Sequence, residues 1–167
     1  MKRIFLVGFM ACGKTTTGRR IAKKYNLDFI DLDAYIENRF HKTVSQIFAD
    51  KGEEGFRNIE RNMLQEVAGF EDVVIAAGGG TPCFFDNMDI MNDAGETVYL
   101  KATPEMLCTS LTMNGTAKRP LVANKTKEEL LDYVSTTLAK REPFYQKAKH
   151  IMAFDDLSDK LFDDLLN

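Results

Sequence analysis

Ile4-Phe5-Leu6-Val7-Gly8-Phe9-Met10-Ala11-Cys12-Gly13-Lys14-Thr15-Thr16-Thr17 is the stretch on which the reading of the chain turns. Four apolar residues predict a buried strand. Gly8 to Thr15 then spell G-x-x-x-x-G-K-T, the pattern of a phosphate-binding loop. Gly8 and Gly13 permit backbone angles that a side chain would forbid, so the loop can turn its N–H groups inward around phosphate oxygens. Lys14 would bring a positive charge to the outer phosphates, and the Thr15 hydroxyl suits Mg²⁺. A helix starting near Gly13 would aim its positive end at the same anion. A glycine-rich turn with no ligand is the plain alternative, and the strand before and helix after the loop argue against it.

Downstream, Leu27 to Asp33 predicts a second strand ending in two carboxylates, Asp31 and Asp33. At spacing i, i+2 on a strand they would share a face at the carboxyl end, where open α/β sheets bind ligands. Two acids there suit a cation, or a cation and a hydroxyl. A solvated pair, or Asp33 capping the next helix, is the competing reading. Thr43 to Gln46 predicts a capping box and a short helix ended by Gly52. From Glu53 to Gly69 a longer helix is predicted, with Phe56, Ile59, Met63 and Val67 as its buried stripe. Arg57 and Glu60 flank that stripe at i, i+3, and the pattern alone leaves a surface ion pair open.

Val73 to Ala77 predicts a central parallel strand, followed by Gly78-Gly79-Gly80-Thr81-Pro82. Three glycines directly after a buried strand would let a ligand approach bare backbone N–H groups. Further strands are predicted at Thr97–Leu100 and His150–Phe154. Helices are predicted after Asp86, Thr103, Thr126 and Ser158, and Pro143 is expected to kink or interrupt its helix. Asn114 to Lys125 is loop-like with three basic residues, Lys118, Arg119 and Lys125, and a lid is expected around 112–125. Five strands alternating with helices predict a single α/β domain over 1–167, a five-stranded parallel sheet with helices on both faces and right-handed crossovers.

The chain has 167 residues, 44% of them hydrophobic, and a net charge of −3. That fits one domain with one core and gives no field to recruit nucleic acid or an acidic membrane. Met1-Lys2-Arg3 leads into only a short apolar run, so neither signal peptide nor membrane span is expected. Cys12, Cys83 and Cys108 are odd in number and lack metal-type spacing, which suits a reducing, cytoplasmic compartment. Cys12, near Lys14 and a helix start, is either a reactive thiol or an inert small residue.

A phosphate loop, a cation site, an acceptor-side acid and a basic lid are the parts of a phosphoryl-transfer enzyme. The small chain suits a small acceptor, and Arg57 and Arg141 suit a carboxylate on it. The sequence closely resembles the shikimate kinase family along nearly its whole length. The shared motifs come in the family's order: GFMACGKTTTGR, DLD at Asp31–Asp33, GFRNIE at Gly55–Glu60, GGGTP at Gly78–Pro82, RPL at Arg119–Leu121 and REPFY at Arg141–Tyr145.

The resemblance implies a P-loop kinase fold and transfer of the γ-phosphate of ATP to the 3-hydroxyl of shikimate, on the route to chorismate and aromatic amino acids. It implies that Ala11, Cys12, Gly13, Lys14, Thr15 and Thr16 hold the ATP phosphates. Thr15 would bind Mg²⁺, with Asp31 acting through a water. Asp33 would orient the reacting hydroxyl or accept its proton. Arg57 and Arg141 would pair with the shikimate carboxylate, and Gly79 and Gly80 would offer backbone N–H groups. Lys14 and Arg119 would stabilise charge in transfer, Arg119 closing with the lid. The expected state is a cytoplasmic monomer with no nucleic-acid or membrane partner. The sequence departs from the family near Thr112, where many members carry an arginine on adenine, and at Asp155-Asp156-Leu157-Ser158, which is acidic. Other small P-loop kinases, for gluconate or a nucleoside monophosphate, and a nucleotide-binding module without catalysis are the rival readings.

Overall fold

The computed structural model describes residues 2–113, 124–156 and 158–167. Its centre is a five-stranded, all-parallel sheet in the order β2-β3-β1-β4-β5. The strands are β1 (Arg3–Val7), β2 (Asp28–Asp31), β3 (Val73–Ala76), β4 (Glu96–Lys101) and β5 (His150–Ala153). In the three inner strands successive side chains point to opposite faces and are all buried, from Ile4 to Val7, Val73 to Ala76 and Thr97 to Leu100. Both faces of the sheet are therefore covered, as continuous apolar runs in a parallel sheet require. The edge strands β2 and β5 are only partly buried.

Seven helices connect and cover the strands among the described residues: α1 (Lys14–Tyr25), α2 (Leu32–Phe40), α3 (Val44–Val67), α4 (Asn87–Ala94), α5 (Pro104–Met113), α6 (Lys127–Tyr145) and α7 (Lys160–Leu166). Capping boxes open α3 at Thr43/Gln46 and α6 at Thr126/Glu129. Asn26 closes α1 in the left-handed conformation, its N–H reaching Ala22 O and Lys23 O. Gly18 lets α1 lie against β2, since a Cβ there would fall 2.4 Å from the Phe29 ring.

Four local expectations change. β2 stops at Asp31, which becomes the N-cap of α2 and accepts from Ala34 N at 3.1 Å. Asp33 thus stands in the first turn of a helix rather than on a strand, because the Asp31 carboxylate satisfies a free amide at once. Gly52 does break the helical path, with φ 72° and ψ 178°, but the turns on either side abut within one 24-residue element. The buried stripe of that helix is Phe56, Glu60, Leu64 and Val67, while Ile59 and Met63 are half-buried. Pro143 does not interrupt α6, which runs two residues beyond it. So near the C-terminal end the missing N–H costs one bond and leaves little helix to deflect.

Candidate active site

The loop after β1, the α2 start after β2 and the glycines after β3 all lie at the carboxyl ends of neighbouring strands. Register brings Asp31 beside Ala76 and Ala76 beside Leu6. Over these ends opens a cleft of about 550 Å³, lined by loop residues from Met10 to Thr17 and by Asp31, Asp33, Gly78 and Gly79. A mostly apolar groove of about 620 Å³ between α5, α6 and β5 contains none of the expected catalytic, phosphate-binding, acceptor-binding or metal residues, though Asp155 and Glu142 line it.

Gly13 is the N-cap of α1 in the left-handed region, φ 90°, with no side chain capping the first turn. Its helix amides therefore face the loop. The Lys14 ammonium donates to Gly8 O at 2.6 Å and Phe9 O at 2.9 Å, which holds it over the loop. Thr15 Oγ1 donates to Asp31 Oδ2 at 3.2 Å, so the two groups expected to share a cation are neighbours. Cys12, like Phe9, is buried rather than lining the cleft. Its side chain is 1% exposed, packed toward Gly8, and its N–H donates to Phe9 O at 3.3 Å. Burial, rather than an open position near phosphate, makes it a packing residue.

The three glycines have a specific role. None of them needs a positive φ. A Cβ on Gly78 would lie 3.1 Å from Asp33 Oδ1, one on Gly79 3.0 Å from Arg141 Nη1, and one on Gly80 2.7 Å from Arg57 Nη2. Each missing side chain is replaced by a charged group from a different helix, α2, α6 and α3. Asp33 and both guanidiniums therefore converge on one turn beside the phosphate loop. Gly80→Ala is expected to push the Arg57 guanidinium aside, raising the acceptor KM about tenfold with the ATP KM unchanged, as steady-state kinetics would read.

Arg57 is held tightly. Nη1 donates to Glu60 Oε1 at 2.9 Å, and the guanidinium lies over the Phe84 ring, 4.0 Å from its centroid. Glu60 is 1% exposed, and its other oxygen accepts from Thr81 Oγ1 at 2.8 Å. The pair is thus an internal one, not a surface one. Buried Asn87 donates to Thr81 O at 2.9 Å and fixes the end of the glycine turn. Glu60, Thr81 and Asn87 were not singled out as site residues by sequence reasoning. The available signal was Glu60 itself, which falls at i+4 from Phe56 and i−4 from Leu64. A carboxylate on the inward face of a helix demands a buried partner.

The same crowding of acids acts on Asp33. Burial, then the charges of Asp31 and Glu60, push its carboxyl up from 3.8 to about 6, with Lys14 opposing and Glu37 adding a little. A carboxylate held that high in a cleft beside a phosphate loop is suited to bind or take a proton near neutrality. Arg119 and most of the expected lid lie outside the described residues; Thr112 and Met113 end α5.

The model of the shikimate kinase family matches residues 10–167. A shikimate kinase of Phocaeicola vulgatus is 57% identical over 160 residues, 96% of this chain and 91% of that protein. One from Bacteroides thetaiotaomicron is 52% identical with the same coverage. Among solved structures, a shikimate kinase from Bacteroides thetaiotaomicron superposes with a TM-score of 0.90 at 51% identity, over 96% of this chain and 90% of that one. The shikimate kinase of Acinetobacter baumannii, solved in complex with shikimate, gives 0.84 at 31% identity over 99% and 93%. A gluconokinase from Sinorhizobium meliloti shares the fold, with a TM-score of 0.62 at 14% identity. With a phosphate loop intact, an acid beside it and this likeness over almost its full length, the chain belongs to the shikimate kinase family of ATP-dependent phosphotransferases.

Proposed function

We propose that this family member transfers the γ-phosphate of ATP to the 3-hydroxyl of shikimate with the roles divided as follows. Backbone N–H groups from Ala11 to Thr16, with the α1 N-terminus, bind the phosphates, and Lys14 neutralises charge on the outer ones. Asp33 accepts a hydrogen bond from the acceptor hydroxyl and takes its proton as the bond to phosphorus forms. Arg57 and Arg141 pair with the acceptor's carboxylate, and Gly79 and Gly80 offer backbone to the ring hydroxyls. Arg119 closes with a lid around 112–125 and stabilises charge in transfer. The observation that carries this reading is the meeting of Asp33, Arg141 and Arg57 on Gly78, Gly79 and Gly80. Two cations and one acid beside a phosphate loop suit an anionic acceptor with a reactive hydroxyl, and suit gluconate's flexible chain or a nucleotide less well.

Mg²⁺ fits the residues present. The Thr15 hydroxyl and Asp31 carboxylate adjoin, and the described residues contain no cluster of three or more potential acidic, Cys or His ligands. Magnesium favours that sparse arrangement, one or two protein oxygens with waters and phosphate oxygens completing the octahedron. When bound it would neutralise phosphate charge, with Thr15 as direct ligand and Asp31 acting through water. Location in the cytoplasm is supported by three free cysteines and by the lack of any described helix long and apolar enough to cross a membrane. The working unit is taken as a monomer, with Asp33, Arg57 and Arg141 meeting within one chain.

Purified protein with ATP, MgCl₂ and coupled ADP detection tests the reading against shikimate, gluconate and a nucleoside monophosphate. ADP release is expected with shikimate, with the product phosphorylated at the 3-oxygen by NMR. Faster turnover of either other acceptor, or ATP bound with no product from any, would overturn it.

A further inference from the structure

Tyr145 closes α6 one turn after Arg141 and is wholly buried. Its ring packs against Tyr99 at a centroid distance of 5.1 Å and a tilt of 41°. A phenylalanine would make that contact equally well, so packing alone does not explain the hydroxyl. The hydroxyl donates to Gly79 O at 2.5 Å, on the residue whose missing Cβ leaves room for Arg141 Nη1. The Arg141 guanidinium rests on that same glycine and is near enough for its charge to act on the phenol. The phenol proton goes to Gly79 O, so the side of the hydroxyl toward the guanidinium can only be an acceptor. The buried hydroxyl therefore fixes the glycine turn on which the Arg141 guanidinium rests. Tyr99 supports the arrangement from behind by donating to Glu142, the neighbour of Arg141.

We propose that Tyr145 is a positioning residue for recognition of the acceptor's carboxylate, holding the Arg141 guanidinium in register with Gly79 before substrate arrives. This rests on the reading of Arg141 given above. The physical gain is preorganisation. A free arginine side chain holds many rotamers, and fixing one in the unliganded protein removes that cost from the binding step. The arrangement also makes the acceptor site sensitive to a group that never touches the substrate.

Steady-state kinetics of Tyr145→Phe, alone and in an Arg141→Gln background, provide the test, with KM for shikimate and for ATP measured separately. Where saturation is out of reach, kcat/KM is used. Tyr145→Phe alone is expected to raise the shikimate KM about tenfold, leaving kcat and the ATP KM within about twofold. In the Arg141→Gln background the same change is expected to alter shikimate kcat/KM by less than about twofold, because the group it positions is gone. An equal factor in both backgrounds, or parallel rises in both KM values, would assign Tyr145 a merely structural role and overturn the inference. If Arg141→Gln raises the shikimate KM but Tyr145→Phe does not, the inference alone fails. If Arg141→Gln leaves that KM unchanged, the assignment of Arg141 fails and this inference falls with it.

Discussion

Arg57→Ala is expected to lower affinity for shikimate and the stability of the fold together. A charge-assisted hydrogen bond to a carboxylate contributes about 1.5–3 kcal/mol, so the shikimate KM should rise roughly ten- to a hundredfold. The fold loses more, because Glu60 is 1% exposed and Arg57 is its charged partner at 2.9 Å. Breaking one side of a buried pair costs about 3–5 kcal/mol, which for a chain of this size lowers Tm on the order of 10 °C. The two losses are separable. Adding Glu60→Gln removes the stranded charge, and Gln can still accept from Thr81. The double variant should recover most of the Tm and none of the KM. Recovery of both would mean that Arg57 acts on the acceptor only by keeping Glu60 in place.

Asp33→Asn is expected to reduce kcat about 10²- to 10³-fold, the range for loss of a positioned proton acceptor, and to leave the ATP KM near its original value. The same substitution should make the protein more stable. Burial and the charges of Asp31 and Glu60 raise the Asp33 carboxyl to about 6, so the folded state resists its ionisation. Below about pH 3 the group is protonated folded or unfolded, and no penalty exists. As pH rises through 6 the penalty comes fully into force. Asparagine escapes it at every pH. In nucleotide-free protein with EDTA, denaturant melts should show the variant more stable by about 3 kcal/mol at pH 8, with the gap closing toward pH 3. A constant gap across that range would mean that Asp33 is not held above its ordinary value.

These two residues also mark where sequence reading succeeds and where it stops. The phosphate loop was readable in full, because Gly8, Gly13, Lys14 and Thr15 act through local backbone geometry that spacing alone specifies. The parallel sheet was readable because Val73–Ala76 and Ile4–Val7 are continuous apolar runs that only a doubly covered sheet can bury. Asp33 was expected at the ligand-binding end of the sheet and does line the cleft, but for a different geometric reason than spacing suggested. It reaches the cleft from the first turn of α2 rather than from a strand, since capping by Asp31 ended the strand early. For Glu60 the pattern left a surface ion pair with Arg57 open, because its burial depends on Thr81 arriving from elsewhere in the chain. The three glycines were read as bare backbone offered to a ligand; that their missing side chains also make room for Asp33, Arg141 and Arg57 was not legible. Contacts between residues far apart in the chain leave no trace in spacing.

The glycine turn has a further consequence for a chain still being made. Everything from the first glycine of the phosphate loop to Asp33 is synthesised within one short stretch. The pocket facing it needs Arg57, the glycines and Arg141, spread over 85 positions from 57 to 141. A ribosome that has released only the first 140 residues has produced the nucleotide-side sequence and half of a clamp. On the roles proposed above, selectivity for the acceptor is thus acquired late, once α6 docks and supplies its guanidinium.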